Sequence, residues 1–254
     1  MNLVEIKKVY INYHTPQGET EVLKDISLSI QEGDFISIIG PSGCGKSTLL
    51  NIISGILKPS LGSVFLEGKE ISGIDPRVGY MFQRDHLFPW LTLWENVSIG
   101  LKIQGKFHKD SKDYLSSLLE SYGLASFKNY YPHELSGGMR QRVALIRTLA
   151  LSPHILLLDE PFAALDYQTR LKVCDEIYQI IKSAGKTVIM VTHDIAEAIS
   201  TSSKVIVLSK RPSTIKKEVV LEFDNKYDTP LKRREAPEFR NYFNSIWKEL
   251  DFND

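Results

Sequence analysis

The stretch GPSGCGKST, residues 40–48, follows the apolar run FISII at 35–39. This order predicts a buried strand, a glycine-rich loop and the start of a helix, with the pattern G-x-x-x-x-G-K-[ST] of a phosphate-binding loop. Glycines let backbone N–H groups curl around a phosphate, and the N-terminus of a helix adds a favourable field. We therefore expect Lys46 to reach the β- and γ-phosphates and the Ser47 hydroxyl to ligate Mg²⁺. We interpret Cys44 as a small loop residue without a redox role.

The composition limits the kinds of protein that this chain can be. Its 254 residues can bury a large core as one domain or as two small ones. Lysine plus arginine and aspartate plus glutamate number 31 each, so the formal net charge is zero. Binding to a nucleic-acid backbone needs an excess of clustered positive charge, so we expect no nucleic-acid partner. The two cysteines give neither a disulfide framework nor a metal-binding spacing, which favours a reducing compartment.

Apolar strands alternate with amphipathic helices along much of the chain. Buried strands are predicted at FISII, HILLLDE, TVIMVTH and KVIVLS, and helices at 139–151 and 166–182. Such alternation indicates an α/β fold with a mostly parallel sheet that is covered on both faces. Residues 3–11 and 22–30 alternate apolar and polar side chains. They predict an antiparallel pair, which we interpret as an N-terminal β subdomain.

The region from about 85 to 150 lacks strand patterns and predicts an inserted helical subdomain. An irregular, aromatic-rich stretch at 85–107 is expected to precede a helix at 109–122. Residues 211–254 form a short tail, in which apolar side chains at helical spacing predict a helix with Pro237 in its first turn. The tail is too short for a typical extra domain, so we interpret the chain, residues 1–254, as a single domain.

A pair of acids ends one of the buried strands. Asp159 and Glu160 follow four consecutive aliphatic residues, which predicts that both lie at the C-terminal end of a strand. Open parallel sheets bind their ligands at that end. Asp159 is suited to hold Mg²⁺ through its water shell, and Glu160 to polarise an attacking water. A solvated turn is the alternative, and the phosphate loop upstream favours the catalytic interpretation.

A second glycine pair precedes the predicted helix at 139–151. In LSGGMRQRVAL, residues 135–145, Ser136, Gly137 and Gly138 form a layout that suits a bound phosphate. The chain already has a phosphate loop far upstream, so a second such feature needs a reason. By itself the segment is an ordinary helix entry with Ser136 as the N-cap.

The sequence from residue 3 to about residue 208 resembles an ATP-binding-cassette ATPase. Five motifs occur in the order and spacing of that family: GPSGCGKST, LSGGMRQR, ILLLDEP, AALD and VTHD. The resemblance implies a P-loop NTPase core, hydrolysis of ATP with Mg²⁺, and two copies paired head to tail around two nucleotides. It also gives the second glycine pair a role, because Ser136, Gly137 and Gly138 would contact the γ-phosphate of the ATP held by the partner copy.

The resemblance implies roles for further residues. Gln83 is expected to sense Mg²⁺ and the γ-phosphate, and His193 to contact the γ-phosphate and orient Glu160. Asp166 would couple the two sites across the dimer. Tyr13 would stack on adenine, with His14 as the local alternative. The implied catalytic residues are Glu160, His193 and Gln83; the metal ligands are Ser47, Gln83 and Asp159; and the nucleotide-binding residues are Tyr13, Gly40, Pro41, Ser42, Gly43, Cys44, Gly45, Lys46, Ser47, Thr48, Gln83, Ser136, Gly137, Gly138 and Asp166.

The organisation of the chain favours a transport ATPase. Lys46 and Ser136 are 90 residues apart, which leaves room for a small helical insert but not for the long coiled coil of cassettes that act on DNA. Cassettes that act on ribosomes occur in pairs on one chain, and this chain has one. No run approaches the ~18 apolar residues of a membrane-spanning helix. We therefore expect the ATPase subunit of an importer at the cytoplasmic face of the membrane, with separate transmembrane permease subunits and, indirectly, a solute-binding protein.

The aromatic segment after Gln83 bears on the transported solute. QRDHLFPWLTLWENVSIGL resembles the corresponding segment of importers of nitrate, sulfonate and taurine, and importers of thiamine-precursor pyrimidines look similar there. Unfused ATPases of lipoprotein-release or cell-division complexes are the alternative. Leu87, Phe88 and Trp90 either fill the core of the helical insert or form a groove for a membrane partner.

Overall fold

The computed structural model describes residues 2–16 and 18–250 of the chain. Two 3₁₀ turns, at Ala125–Phe127 and Pro132–Glu134, lie between the third and fourth helices. In chain order the elements are β1 (Asn2–Thr15), β2 (Gly18–Gln31), β3 (Phe35–Ile39), α1 (Lys46–Ile53), β4 (Leu61–Leu66), β5 (Lys69–Glu70), β6 (Val78–Met81), α2 (Leu93–Ile103), α3 (Lys109–Ser121), α4 (Gly137–Leu149), β7 (Ile155–Asp159), α5 (Tyr167–Ser183), β8 (Thr187–Val191), α6 (Ile195–Thr201), β9 (Lys204–Leu208), β10 (Ile215–Val220), α7 (Pro230–Arg233) and α8 (Phe239–Leu250).

A six-stranded sheet forms the centre of the fold, in the order β10-β9-β3-β8-β7-β6. The five strands from β9 to β6 are parallel, and β10 pairs antiparallel with β9 at the edge. Every residue of β7 and β8 is buried, as expected for strands covered on both faces. The mostly parallel sheet is therefore confirmed. The edge strand β10 lies in the tail, where the sequence analysis placed only a helix.

A four-stranded antiparallel sheet, in the order β2-β1-β4-β5, lies at the N-terminal end of the chain. The predicted pair is present, with Val4 opposite Ile30. Both strands are longer than predicted, because β1 runs on to Thr15 and β2 already starts at Gly18. Their buried apolar side chains share one core cluster with α1 and the central sheet. The extended end of β1 therefore reaches towards the phosphate loop.

The segment between β6 and β7 contains α2, α3 and α4. The expectation that 85–107 is irregular is wrong for its second half, because α2 lies there. Thr92 and Glu95 form a capping box: the Glu95 carboxylate accepts from Thr92 N at 2.8 Å, and the Thr92 hydroxyl accepts from Glu95 N at 3.3 Å. The helix then buries Leu93 and Val97 on one face. This pair of capping residues fixes where the helix begins.

Two predicted helix starts also need correction. Helix α4 begins at Gly137 rather than near residue 139, so both glycines of the LSGG segment lie in its first turn. Helix α8 begins at Phe239, so Pro237 stands in the turn before the helix and not in its first turn. The buried Ile246 anchors α8 in a cluster with residues of α6 and β9.

Candidate active site

The phosphate loop connects β3 to α1 and has the backbone that its glycines allow. Gly43 and Gly45 have φ angles of +74° and +114°, which side-chain-bearing residues rarely adopt. A Cβ on Gly45 would lie 2.8 Å from a Leu23 methyl carbon and 2.9 Å from one of Val22. Both the backbone angle and the close approach of β2 therefore require glycine at position 45.

The side chains of Lys46 and Cys44 have different surroundings in this loop. The buried Lys46 ammonium donates to the carbonyl oxygens of Gly40 at 2.9 Å and Pro41 at 3.0 Å, which holds the positive charge against the loop. Cys44 is buried in the cluster beneath it. A Cβ on Gly40 would lie 2.9 Å from Cys44 Sγ, so the thiol fills a tight space. This supports its interpretation as a packing residue.

Ser47 and Asp159 meet at the start of α1 and the end of β7. The Ser47 hydroxyl donates to Asp159 Oδ1 at 3.0 Å, and the single proton of the Tyr80 hydroxyl is shared between Asn51 Oδ1 at 3.0 Å and Asp159 Oδ2 at 3.4 Å. Burial raises the pKa of Asp159, and the hydrogen bond from Ser47 opposes this. A divalent cation here would favour the ionised carboxyl. A hydroxyl and a carboxylate, completed by water and phosphate oxygens, fit the oxygen ligands of Mg²⁺.

Tyr80 is a member of this site that the sequence analysis missed. It lies on β6, next to β7 in the sheet, and its hydroxyl is half-buried beside Asp159. Burial raises the pKa of the Tyr80 phenol, with the Asp159 charge as a further cause, so the hydroxyl stays a donor. Tyr80 pairs with Leu157 in the sheet, and this pairing places it near Asp159 on the same strand. The register of the two strands is needed to see this.

Gln83, Glu160 and His193 converge at one carboxylate oxygen. Glu160 Oε2 accepts from Gln83 Nε2 at 3.1 Å and lies 3.2 Å from His193 Nδ1. The three residues follow β6, β7 and β8, which are adjacent parallel strands and end at the same edge of the sheet. The order of strands therefore brings together three side chains that are far apart in sequence.

The Glu160 backbone is in an uncommon conformation. Its φ is +46°, in the left-handed region, which costs of the order of 1–3 kcal/mol for a residue with a side chain. The backbone N–H donates to Val191 O at 2.8 Å, across to the next strand. This bond holds the turn after β7, so the strained backbone aims the carboxylate at Gln83 and His193.

Tyr13 lies beside the first turn of α1. Its hydroxyl is 3.4 Å from Thr48 Oγ1, the last residue of the phosphate-loop motif. The side chain is 40% exposed and so is accessible to a ligand. The side chain of His14, the alternative to Tyr13, lies outside the part of the chain that the structure describes.

The LSGG segment packs against α5. The Ser136 hydroxyl accepts from Met139 N at 3.3 Å and so caps α4, whose first residues are Gly137 and Gly138. A Cβ on Gly138 would lie 2.8 Å from Val173 Cγ2 on α5. The N-cap expected from sequence alone is therefore present. The cap leaves the positive end of α4 in place for an anion.

Asp166 caps α5 in the same way. Its Oδ1 accepts from Thr169 N at 3.1 Å, and this hydrogen bonding with Thr169 holds the pKa of the Asp166 carboxyl below its usual range. The carboxylate therefore stays ionised at neutral pH and fixes the end of the turns at 161–166, which precede α5.

Comparison with known proteins assigns this site to a family. The family model described as ABC transporter matches residues 23–163, more than half of the chain. The chain belongs to the ABC transporter family. The ABC model ends at residue 163, so it includes the phosphate loop, Gln83, the LSGG segment and Glu160, and leaves His193 outside the matched residues.

Relatives extend the similarity over almost the whole ABC chain. It is 44% identical to the ABC transporter ATP-binding protein YtlC of Bacillus subtilis, over 99% of this chain and 96% of that protein. It is 38% identical to the nitrate import ATP-binding protein NrtD of Synechocystis, over 97% and 93% of the two chains. It is 40% identical to the taurine import ATP-binding protein TauB of Roseobacter denitrificans, over 97% and 95%.

Solved structures of ABC cassettes share the fold. A dimeric structure of the ATP-binding cassette MJ0796 in a post-hydrolysis state, bound to ADP and Pi, has a TM-score of 0.74 and 36% identity, and covers 87% of this chain and 100% of its own. The structure of cbiO1 from Clostridium perfringens has a TM-score of 0.72 and 30% identity, over 81% and 84%. The predicted family, the α/β P-loop fold and the ATPase activity are confirmed.

The chain is therefore the ATP-hydrolysing, ATP-binding subunit of an ABC transporter. Within residues 2–16 and 18–250, the structure has no helix whose length and apolar character would let it cross a membrane.

Proposed function

We propose that two copies of this ABC ATPase pair head to tail around two ATP molecules and drive solute import through separate permease subunits. One observation carries the dimer: each chain has one complete phosphate loop, and its capped LSGG helix packs on α5 rather than on that loop. A symmetric pair supplies each loop with the LSGG segment of the other copy. The dimeric MJ0796 cassette and the relatives named for nitrate and taurine import support the proposal.

In this dimer the phosphate loop, residues 40–48, binds the β- and γ-phosphates through its N–H groups and Lys46. Ser47 and Asp159 hold Mg²⁺, which neutralises charge on the phosphate oxygens when it is bound. Glu160 accepts a proton from the attacking water. His193 orients this carboxylate, consistent with the 3.2 Å contact between Nδ1 and Oε2.

Gln83 and Tyr13 have supporting roles in the proposal. Gln83 senses Mg²⁺ and the γ-phosphate from its position beside Glu160, and Tyr13 stacks on adenine beside α1. In the partner's site, Ser136 donates to the γ-phosphate and Asp166 couples the two sites. These assignments follow the family motifs residue by residue, and the contacts of Gln83 with Glu160 and of Tyr13 with Thr48 support the first two.

An apolar groove beside Gln83 supports coupling to a permease. Its volume is about 560 Å³, and its lining includes the apolar side chains of Phe82, Phe88, Ile99 and Leu151. Such a groove suits a short apolar helix from a membrane partner, since aromatic residues are frequent anchors at interface centres. ATP-dependent movement at Gln83 would then shift the groove.

The aromatic residues of this segment differ in their burial. Leu87 is buried, as the core-filling interpretation expects, whereas Phe88 is half-buried and Trp90 is 69% exposed, with its ring centroid 5.4 Å from that of Phe88. The buried Asn96 side chain bonds both the N–H and the C=O of Phe88, at 2.8 and 3.1 Å. Phe88 is thus held at the rim of the groove, with Trp90 beside it.

The dependence of ATPase activity on protein concentration tests the dimer. Specific activity of the purified subunit is expected to rise with protein concentration, because each site needs two copies. A specific activity that stays constant from far below to far above the dimer dissociation constant would rule out a shared site.

A charged substitution at Trp90 tests the permease contact. Trp90→Glu is expected to leave ATP hydrolysis and the melting temperature of the lone subunit unchanged, because the side chain is exposed, while transport or co-purification with the permease is lost. Ile74→Glu is the matched control, since Ile74 is 82% exposed and lies between β5 and β6, outside the aromatic segment that carries Trp90. Normal assembly and transport by Trp90→Glu would remove this residue from the interface. Co-purification with a lipoprotein-release membrane complex would favour that alternative over import.

A further inference from the structure

Arg170 touches both loops that flank the catalytic carboxylate. It lies in the first turn of α5, with its side chain 24% exposed. Its Nη2 donates to Leu165 O at 3.0 Å, and its Nη1 lies 3.6 Å from Asp194 Oδ2. Leu165 directly precedes Asp166, and Asp194 directly follows His193. A single guanidinium therefore joins the loop that carries Asp166 to the loop that carries His193.

The Asp194 end of this link is rigid. Asp194 Oδ1 accepts from Glu197 N at 3.0 Å and caps α6, and its own N–H donates to Thr192 Oγ1 at 3.0 Å. The second carboxylate oxygen is then free to face Arg170. Because the guanidinium is planar and rigid, its hydrogen bond to Leu165 O orients it so that Nη1 faces the Asp194 carboxylate as an ion pair at 3.6 Å.

The nearby buried acid does not compete with Asp194 for the guanidinium. Burial raises the pKa of Glu197 to about 8, and the Asp194 charge adds to this, while Arg170 opposes it. Glu197 is therefore mostly neutral at pH 7, and Asp194 is the ionised partner that faces Arg170. Arg234 acts on the pKa of Glu197 in the same direction as Arg170.

We propose that Arg170 is a positioning residue that couples the two ATP sites of the dimer through each chain. The inference rests on the proposed function, in which Asp166 reaches the partner's site and His193 acts on the chain's own ATP. Displacement of the Asp166 loop by events in one site is transmitted by the guanidinium to Asp194 and His193. From there it reaches Glu160 in the other site.

The test uses the full chain and measures the Hill coefficient of ATP hydrolysis. Arg170→Gln is expected to lower the coefficient from its wild-type value towards 1, because it removes a coupling between sites that typically changes binding affinity by about fivefold or more. The ATP affinity of the monomer, measured at protein concentrations too low for dimerisation, should be unchanged. Asp194→Asn should give the same loss, since asparagine still caps α6 but lacks the charge.

Two further variants test whether the effect comes from the geometry of the guanidinium and from its interaction with Asp194. Arg170→Lys should rescue little, because a lysine cannot hold both acceptors at once. The double variant Arg170→Gln/Asp194→Asn should be no worse than either single variant, since both remove one interaction.

Arg233 provides the matched control. It joins the far ends of the same two helices, with Nη1 donating to Ser200 O and Ser202 O at 3.1 and 3.2 Å and Nη2 donating to Tyr178 Oη at 3.1 Å. Arg233→Gln is expected to lower the melting temperature and to keep the wild-type Hill coefficient. An equal loss of cooperativity in the Arg233 variant would overturn the inference, because the loss of any arginine that joins these helices would then have the same effect.

Other outcomes are equally decisive. Wild-type cooperativity in Arg170→Gln overturns the inference and leaves the dimer standing. A wild-type subunit whose specific activity does not depend on concentration overturns the proposed dimer, and the inference with it. If Arg170→Gln unfolds below the assay temperature, Asp194→Asn decides, because it retains the cap of α6.

Discussion

Replacement of Glu160 by glutamine separates ATP binding from ATP hydrolysis in this chain. Glutamine has the size of glutamate and keeps an oxygen that can accept from Gln83 Nε2, now 3.1 Å away. The backbone bond from Glu160 N to Val191 O does not involve the side chain, so the strained turn keeps its shape. The change therefore removes the negative charge and the proton acceptor and leaves the surrounding geometry.

The expected loss is that of a general base. Turnover should fall by about 10²- to 10⁴-fold, which corresponds to roughly 3–5 kcal/mol in activation free energy. ATP affinity should be kept, because the phosphate loop and Lys46 are unchanged. Phosphate release under single-turnover conditions measures the rate of hydrolysis. Size-exclusion chromatography with ATP and Mg²⁺ should reveal a persistent dimer.

The same chemical change at Glu197 is the control for Glu160→Gln. Glu197 is buried and mostly neutral at pH 7, so an amide resembles the form already present. Glu197→Gln is expected to keep turnover. Near-normal turnover in Glu160→Gln would remove Glu160 from the role of base, whatever the behaviour of the dimer.

Three further predictions concern nucleotide binding, the shared site and pH. Lys46→Ala should weaken ATP binding by roughly 10- to 100-fold in a titration, because a cation facing two phosphates is lost; unchanged affinity would contradict its role. Ser136→Phe should abolish hydrolysis while the monomer still binds ATP, since in the proposed dimer Ser136 contacts only the partner's nucleotide; a collapse of monomer affinity would show that the contact is within one chain. The folded pKa of Glu197, about 8, lies above its usual 4.5, so the unfolded chain ionises first and stability falls as pH rises between these values. The wild-type free energy of unfolding should drop by roughly 2 kcal/mol from pH 6 to pH 8 through this group, and Glu197→Gln should remove that drop. Equal pH dependence of wild type and variant in chemical denaturation would refute this assignment.

The central sheet and the site at its edge were predictable from sequence because each depends on local patterns. Long apolar runs predict buried parallel strands, and polar residues that follow them must meet at one edge. Glu160 follows this rule, whereas Gln83 and His193 were assigned through the family resemblance; the structure brings all three to one oxygen atom. The glycine at position 45 was also predicted to be needed by the phosphate loop, and the structure gives the reason: its backbone angle and its contact with β2 both require glycine.

Features that depend on pairing between distant segments were missed. Strand β10 reads IKKEVV, with three charged residues in six, and it forms by pairing with β9 at an exposed edge. Tyr80 reaches Asp159 only through the register of β6 and β7. Helix α2 is a different case, because its capping box at Thr92 and Glu95 is visible in the sequence. The aromatic residues around it masked that signal.

Helix α4 connects these parts of the molecule. Its first turn carries the LSGG segment, and its basic side chains hold the segment that follows Gln83. Arg140 Nε donates to Asp85 Oδ2 at 3.1 Å, and Arg147 donates to the backbone oxygens of Asp85 and His86, both at 2.7 Å. Movement of α4 towards a partner's nucleotide would therefore pull on residues 85–86, just before Phe88 at the groove. In the proposed dimer, α4 would thus link the LSGG segment to residues 85–86, which lie between Gln83 and Phe88.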